Sequence, residues 1–228
     1  MLSPGSERHA RVREALVVFG ATVGASIVAM FVRGIHGWDQ TAYSDRHLLR
    51  LVAYELLLAA LFIPWLRRRG WRPLAVAGHP APADIHRGAG LWVLSLGCYW
   101  LVWIMFSLLS PATAASLGAE VRFTGTPAGP LAIVLASIIN PVVEEFLWLG
   151  YGIARLSDWT GVRAAAVSSI VLRTAVHAYQ GPWAVLGILP VGIVFTWYYV
   201  RTRRLWPVVI AHVMLDAIGL AGRLAGVR

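Results

Sequence analysis

The amino-acid sequence predicts an all-α fold: a polytopic bundle of about seven transmembrane helices, with an eighth span left open, around a polar cavity within the membrane. Of the 228 residues, 58% are hydrophobic, and the mean hydropathy is +0.65. A soluble domain is about half apolar and interleaves its apolar residues with charges. Here the charges form short blocks between apolar runs long enough to span a bilayer. Several of the 11 tryptophans flank these runs, as interfacial anchors do.

The apolar runs cover roughly residues 14–32, 48–66, 89–109, 130–154, 162–179, 183–200 and 206–222. They show no obvious internal repeat, and the longest loops between them, 67–88 and 110–129, are too short to be domains. We therefore expect a single integral membrane domain over residues 1–228. The first run lacks a small-residue cleavage site, so it is predicted to be a retained span and not a signal peptide.

The arginines predict the orientation of the chain. All 20 basic residues are arginine. If the N-terminus is cytoplasmic, thirteen of them fall in inner segments, six in outer segments and one, Arg173, within a span, which agrees with the positive-inside rule. The net charge of +9 then reflects topology in a lipid bilayer and does not imply a nucleic-acid partner. The use of arginine alone is typical of a GC-rich bacterial genome, so we expect the bacterial inner (cytoplasmic) membrane.

Seven ionisable side chains lie within the predicted spans, and six of them fall in the last four runs. An ionisable group inside a bilayer is costly and marks a functional site by default. The seven residues are Glu55, Glu144, Glu145, Arg173, His177, His212 and Asp216.

The two adjacent glutamates cannot have the same role. Glu144 and Glu145 project about 100° apart on a helix, so we expect one to enter a site and the other to take a structural or electrostatic partner. Pro141 removes a helix hydrogen bond just before them, which predicts a kink that lets water approach the acids. The alternative is a structural ion pair that fixes helix packing. Glu55 is predicted to be structural, paired with an arginine of a neighbouring helix.

Each of the two histidines has a charged neighbour four residues away. His212 and Asp216 share one helix face, one turn apart, and Arg173 and His177 have the same spacing. Asp216 is therefore placed to orient the imidazole or to share a ligand with it.

Carboxylates and histidines on three helices suggest the activation of water. A glutamate in a partly dehydrated cavity can take and return a proton near neutral pH, and a histidine can hold the water or protonate a leaving amine. Glu144, His177, His212 and Asp216 are equally an alternative ligand set for a divalent metal such as zinc. Spacing does not separate a site that needs no cofactor from a metal site. The single cysteine, Cys98, excludes a metal site built on cysteines.

The motifs resemble those of the CPBP intramembrane proteases, the group of CAAX prenyl proteases and bacteriocin-processing, Abi-like enzymes. That family carries E-E-x-x-x-R, F-x-x-x-H and H-x-x-x-N in order. Here the corresponding stretches are EEFLWL (144–149), RTAVH (173–177) and HVMLD (212–216), within a motif-bearing core of about residues 130–220. The resemblance implies a hydrolase: an intramembrane endopeptidase acting on a membrane-embedded or lipidated peptide or protein.

The resemblance also implies roles for individual residues. Glu144 would activate the water together with His177, while His212 and Asp216 would stabilise the oxyanion or ligate a metal. Glu145 would be a supporting second carboxylate.

The chain departs from the family pattern at three positions: Leu149 stands where the family has arginine, Arg173 where it has phenylalanine, and Asp216 where asparagine is common. We expect Arg173 to supply the missing charge to the paired glutamates, because unpaired acids in a membrane are costly. An ionised Asp216 would repel an oxyanion, so it must be protonated, orient His212 or bind a cation.

Two other functions fit parts of the sequence. The departures motivate a catalytically impaired relative that acts as a membrane immunity or scaffold protein, and the buried acids and histidines would suit the proton relay of a transporter. The predicted spans also contain a conflict of depth, because Glu144 lies toward the inner half of its run and His177 near the outer end of its own. A wrong span limit or a broken helix, at Pro141 or in the run 183–200, would resolve it.

Overall fold

The computed structural model describes residues 4–36, 44–112, 128–178 and 182–224, and within them the chain is helical with no strand. The predicted all-α fold class is therefore confirmed. Most of the predicted loop 110–129 lies outside the described residues. The helices are α1 (Pro4–His36), α2 (Asp45–Arg68), α3 (Pro73–Ala77), α4 (Ala83–Leu109), α5 (Pro130–Glu145), a π-helix (Phe146–Tyr151), α6 (Gly152–Val176), α7 (Pro182–Thr202) and α8 (Trp206–Leu224).

Four helical stretches are long and apolar enough to cross a membrane: Asp45–Arg68, Ala83–Leu109, Pro130–Val176 and Val185–Thr202. A shorter apolar helix covers Trp206–Ala221. These stretches make the chain a helical membrane bundle, while the number of spans and the side on which each end lies stay predictions.

The segment Pro130–Val176 is a helical hairpin, and this corrects the predicted limits of its two runs. The helix does not end near residue 154 but continues through the π-helix to residue 160. Gly161 then adopts φ 79° and ψ 159° and reverses the chain, a left-handed φ that glycine adopts without steric cost. The arms run antiparallel, because Ser169 on the second arm donates a hydrogen bond of 3.0 Å to the Trp148 carbonyl on the first.

This hairpin resolves the conflict of depth. With a first arm that extends to residue 160, Glu144 lies at the middle of the arm and not toward one end, opposite the last turn of α6. The helix type also changes in a place that was not predicted. The α-helix α5 continues past Pro141, and the π-helix begins at Phe146, directly after the two glutamates. π-helical turns inside α-helices are rare and frequently lie at functional sites.

The hairpin lies at the centre of the bundle. Helix α5 packs against α2 and α8, α6 packs against α1 and α7, and α4 covers α7 and α8. One apolar cluster joins α1, α2 and the π-helix around Phe19, Trp148 and Tyr151. A second joins α3, α4, α6, α7 and α8 around Phe195 and Leu205. The glutamates at the end of α5 therefore lie inside the bundle, surrounded by the helices that pack against the hairpin.

One end of the bundle is closed by two buried carboxylates with arginine partners. Glu14 lies 3.3 Å from Arg155 and 3.7 Å from Arg69. Asp84 pairs with Arg204 at 2.8 Å and with Arg87 at 3.3 Å. The four arginines come from segments that the charge bias assigns to the cytoplasmic side, and the fold places their segments together.

Candidate active site

A cavity of about 490 Å³ lies among the helices, with a wall of apolar side chains that includes Leu51, Leu58, Val102, Phe106 and Leu215. Its polar wall collects side chains from α2, α5, α6 and α8. The acids, histidines, arginine and asparagine in this wall are Glu55, Asn140, Glu144, Arg173, His177, His212 and Asp216. Five of the six candidate site residues predicted from the sequence therefore line one cavity, and the sixth, Glu145, lies behind its wall.

Glu145 is fully buried and anchors the polar wall. Both of its oxygens accept hydrogen bonds from Arg173, at 2.7 Å from Nη1 and 2.5 Å from Nη2. The Nδ1 atom of His212 lies 2.7 Å from the same carboxylate. Arg173 thus holds one of the two paired acids, as the departure from the family motif suggests. A buried carboxylate needs such a partner, because attraction and hydrogen bonds must offset its desolvation.

His212 lies between two carboxylates. Since a carboxylate can only accept, Nδ1–H of His212 donates to Glu145. The other ring nitrogen, Nε2, lies 3.6 Å from Asp216 one turn further along α8. The ring is thereby fixed in orientation, and the edge that carries Nε2 faces Asp216 and the cavity.

His177 ends α6, where its backbone N–H bonds to the carbonyl of Thr174. Its Nδ1 atom lies 2.9 Å from the carbonyl of Arg173. A carbonyl accepts only, so Nδ1 carries the proton and Nε2 of the neutral ring carries a lone pair. This is the tautomer in which a cavity-lining histidine can accept a hydrogen bond from water.

Glu144 takes a different direction from its neighbour Glu145. It lines the cavity, and among the described residues its buried Oε2 atom has no hydrogen-bond partner. The angle between consecutive helical residues separates the two acids in this way. One carboxylate is held by Arg173 and His212, and the other faces the cavity with an oxygen available.

Two further polar residues of the cavity were missed or misassigned. Glu55 was expected to pair with an arginine, but its Oε1 accepts a hydrogen bond of 2.5 Å from Nδ2 of Asn140. Asn140 was not singled out at all. A signal was present in the sequence, because Asn140 precedes Glu144 by one helical turn and shares its face.

The donor types around the cavity suit zinc, which binds histidine nitrogens and carboxylate oxygens. However, no group of three or more His, Cys, Asp or Glu side chains close enough to hold a metal ion occurs in the described part of the chain. The residues Glu144, His177, His212 and Asp216 are thus not gathered around one point. The steps proposed below use side chains alone, and metal dependence stays a prediction.

Comparison with known proteins identifies the motif-bearing region. Residues 126–218 match the family model described as type II CAAX prenyl endopeptidase Rce1-like. Over 99 residues the chain is 31% identical to a protein of Bacillus subtilis (strain 168) named "Putative membrane peptidase YdiL", a stretch that covers 43% of this chain and 40% of that relative. No solved structure matches. The region with the three motifs is therefore similar to the Rce1-like CAAX prenyl endopeptidases, and the chain spans less than half the length of the curated relative it matches.

Proposed function

We propose that the protein is an intramembrane endopeptidase, which hydrolyses a peptide bond in a membrane-embedded or lipidated peptide or protein. The observation that carries this proposal is the cavity-facing Glu144, with its unpartnered Oε2, in the same wall as a histidine whose Nε2 has a lone pair. The similarity of residues 126–218 to the Rce1-like CAAX prenyl endopeptidase model supports the same reaction class.

The first step is the activation of water. Glu144 accepts a proton from a water molecule, and Nε2 of His177 accepts a second hydrogen bond from the same water and orients it. The oxygen attacks the carbonyl carbon of the scissile bond and forms a tetrahedral oxyanion. Glu144 then returns its proton to the leaving amine, which restores the carboxylate and balances the hydrolysis.

The developing oxyanion needs a donor, and His212 fits this role. The carboxylate of Glu145 accepts a hydrogen bond from Nδ1–H of His212, so a protonated ring presents Nε2–H to the cavity. Asp216, 3.6 Å from Nε2, orients the ring. Of the three roles considered for Asp216, its position 3.6 Å from Nε2 supports orientation of His212.

The structure bears on the impaired-relative alternative as well. That alternative rested partly on the missing arginine at position 149. Arg173 provides a guanidinium to Glu145 from the neighbouring helix, which supports the catalytic reading over the impaired one. The expected environment is the bacterial inner membrane with the N-terminus in the cytoplasm.

The proposal is tested by comparing the wild type with Glu144→Gln, each purified and incubated with membrane extracts of the parent cell. New peptide termini are read by mass spectrometry, with Asp158→Asn, an exposed carboxylate outside the cavity, as the matched control. Termini made by the wild type and the control but not by Glu144→Gln support the endopeptidase and identify its substrate. Identical termini in all three samples would favour a scaffold protein. A zinc chelator in a parallel sample decides metal dependence.

A further inference from the structure

Glu55 and Asn140 form a second hydrogen-bonded pair in the wall of the cavity. The Glu55 side chain is buried, with the residue 5% exposed, and Asn140 holds its Oε1 atom. The other oxygen, Oε2, is buried and has no hydrogen-bond partner among the described residues. The proposed mechanism uses neither residue.

Among the described residues, no cationic side chain is hydrogen-bonded to this carboxyl. Arg173 is the arginine in the described cavity wall, and both of its terminal nitrogens are held by Glu145. Among the groups that act electrostatically on Glu55, Glu144 and Asp216 repel its ionised form and His212 attracts it. A buried oxygen without a partner is unfavourable, so a ligand that brings a hydrogen-bond donor gains from binding there.

The surroundings restrict the kind of ligand. Leu51 and Leu58, on the same helix as Glu55, line the cavity with other apolar side chains. A suitable ligand is therefore amphiphilic, with an apolar body along the wall and an N–H group at Glu55. Two parts of a peptide provide such a group: a main-chain amide and a basic side chain. The excess of acids in the wall favours the basic side chain.

We propose that Glu55, held in place by Asn140, is a substrate-binding subsite that takes an N–H donor of the bound peptide. This subsite rests on the proposed peptidase function for the identity of its ligand, but its binding chemistry can be measured without catalysis.

The binding test uses three probes of equal chain length, n-decylammonium, N-decylacetamide and n-decanol, titrated into the purified protein in nanodiscs. The proteins are wild type, Glu55→Gln, Glu144→Gln and Asp158→Asn. We expect Glu55→Gln to weaken decylammonium binding about 10- to 100-fold, the effect of one charge-assisted hydrogen bond, and to leave decanol binding unchanged. Asp158→Asn should bind all three probes as the wild type does.

The amide probe separates the two sources of the donor. If Glu55→Gln loses affinity for decylammonium alone, the donor is a basic side chain of the peptide. If it loses affinity for both nitrogen probes, a main-chain amide can serve as the donor as well. The assignment would be overturned if Glu55→Gln bound both nitrogen probes as tightly as the wild type, or if its affinity for decanol fell as much as its affinity for the nitrogen probes. It would also be overturned if Glu144→Gln weakened binding of the nitrogen probes more than Glu55→Gln does.

The substitution to glutamine keeps the size of the side chain and an oxygen for Asn140. If the variant did not fold, Asn140→Leu would replace it, because this change releases the carboxyl without removing its charge. It should weaken decylammonium binding about threefold to tenfold, and an unchanged affinity would contradict the proposal.

A substrate peptide identified by mass spectrometry of the new peptide termini provides a second readout. Glu55→Gln should raise KM about tenfold or more and affect kcat far less, since Glu55 takes no part in proton transfer. An equal fall in kcat with KM unchanged would contradict the subsite. If the wild type cleaves no peptide, the peptidase proposal fails, and the probe titrations still decide the role of Glu55.

Discussion

Replacement of Arg173 by methionine removes the guanidinium from a carboxylate that has no access to solvent. The side chains of Arg173 and Glu145 are 2% and 0% exposed. The change deletes two hydrogen bonds to an ionised group and leaves His212 as the remaining partner of Glu145 among the described residues. Each such bond contributes about 1.5–3 kcal/mol, and loss of one partner of a buried ion pair costs about 3–5 kcal/mol. We therefore expect the free energy of unfolding to fall by about 3–5 kcal/mol.

The assay is denaturant unfolding of the purified protein in mixed micelles, followed by tryptophan fluorescence and extrapolated linearly to zero denaturant. Arg11→Met is the matched control. Arg11 pairs with Asp158 at 3.4 Å, and both side chains are largely exposed. An exposed pair contributes about 0–1 kcal/mol, so the control should unfold close to the wild type.

A double substitution tests whether the uncompensated charge is the cause. Adding Glu145→Gln to Arg173→Met removes the charge and keeps an oxygen for His212, and it should recover about 2 kcal/mol or more. The reasoning would be refuted if Arg173→Met destabilised the protein no more than Arg11→Met, or if neutralising Glu145 recovered nothing.

Three further predictions concern neighbouring residues. Leu149 is buried and lies four residues after Glu145. In the Arg173→Met background, Leu149→Arg should recover about 1–3 kcal/mol of unfolding free energy, because the stabilisation by a new ion pair with Glu145 is partly offset by overpacking. Asp216→Asn should keep peptide cleavage within about tenfold of the wild type, whereas Asp216→Ala should lower kcat about 100-fold in proteoliposomes, because His212 loses its orienting partner. Glu14→Gln should lower the unfolding free energy by about 1–3 kcal/mol, because this buried acid accepts a hydrogen bond from Tyr151 and pairs with Arg155.

Each of the three has a contradicting outcome. If Leu149→Arg destabilised the background further, the two positions would not be alternative sources of the cation. Equal activity of Asp216→Asn and Asp216→Ala would remove any role for the side chain in orienting His212. An unfolding free energy of Glu14→Gln equal to that of the wild type would show that the contacts of Glu14 with Tyr151 and Arg155 contribute nothing to stability.

The sequence is sufficient to predict the helical membrane class and five of the polar residues that meet in the cavity. Apolar runs report helices directly, because a bilayer requires the backbone to satisfy its own hydrogen bonds. The cost of ionisable groups in those runs singles out the acids and histidines. The division between Glu144 and Glu145 follows from helix geometry alone.

The errors have a common cause, since each depends on tertiary contacts. Arg155 and Asp158 end the apolar pattern near residue 154, so the pattern predicts a loop there. The helix nevertheless continues, because Arg155 pairs with Glu14 and donates to the carbonyl of Arg69. The π-helix produces no hydrophobic periodicity in the sequence that would distinguish it from an α-helix. The partner of Glu55 lies 85 residues away in the chain, and no local spacing indicates it.

The central claim is that Glu144 is the base of an intramembrane peptidase, and it is tested most directly by one paired measurement. The kcat for the identified peptide and the free energy of unfolding are determined for wild type and Glu144→Gln in the same proteoliposome and micelle preparations. We predict that kcat falls about 100- to 10,000-fold while the unfolding free energy stays within about 1 kcal/mol of the wild type, because Oε2 of Glu144 has no partner to lose in the described structure. Cleavage that persists in Glu144→Gln, or that is lost only together with stability, would contradict the claim.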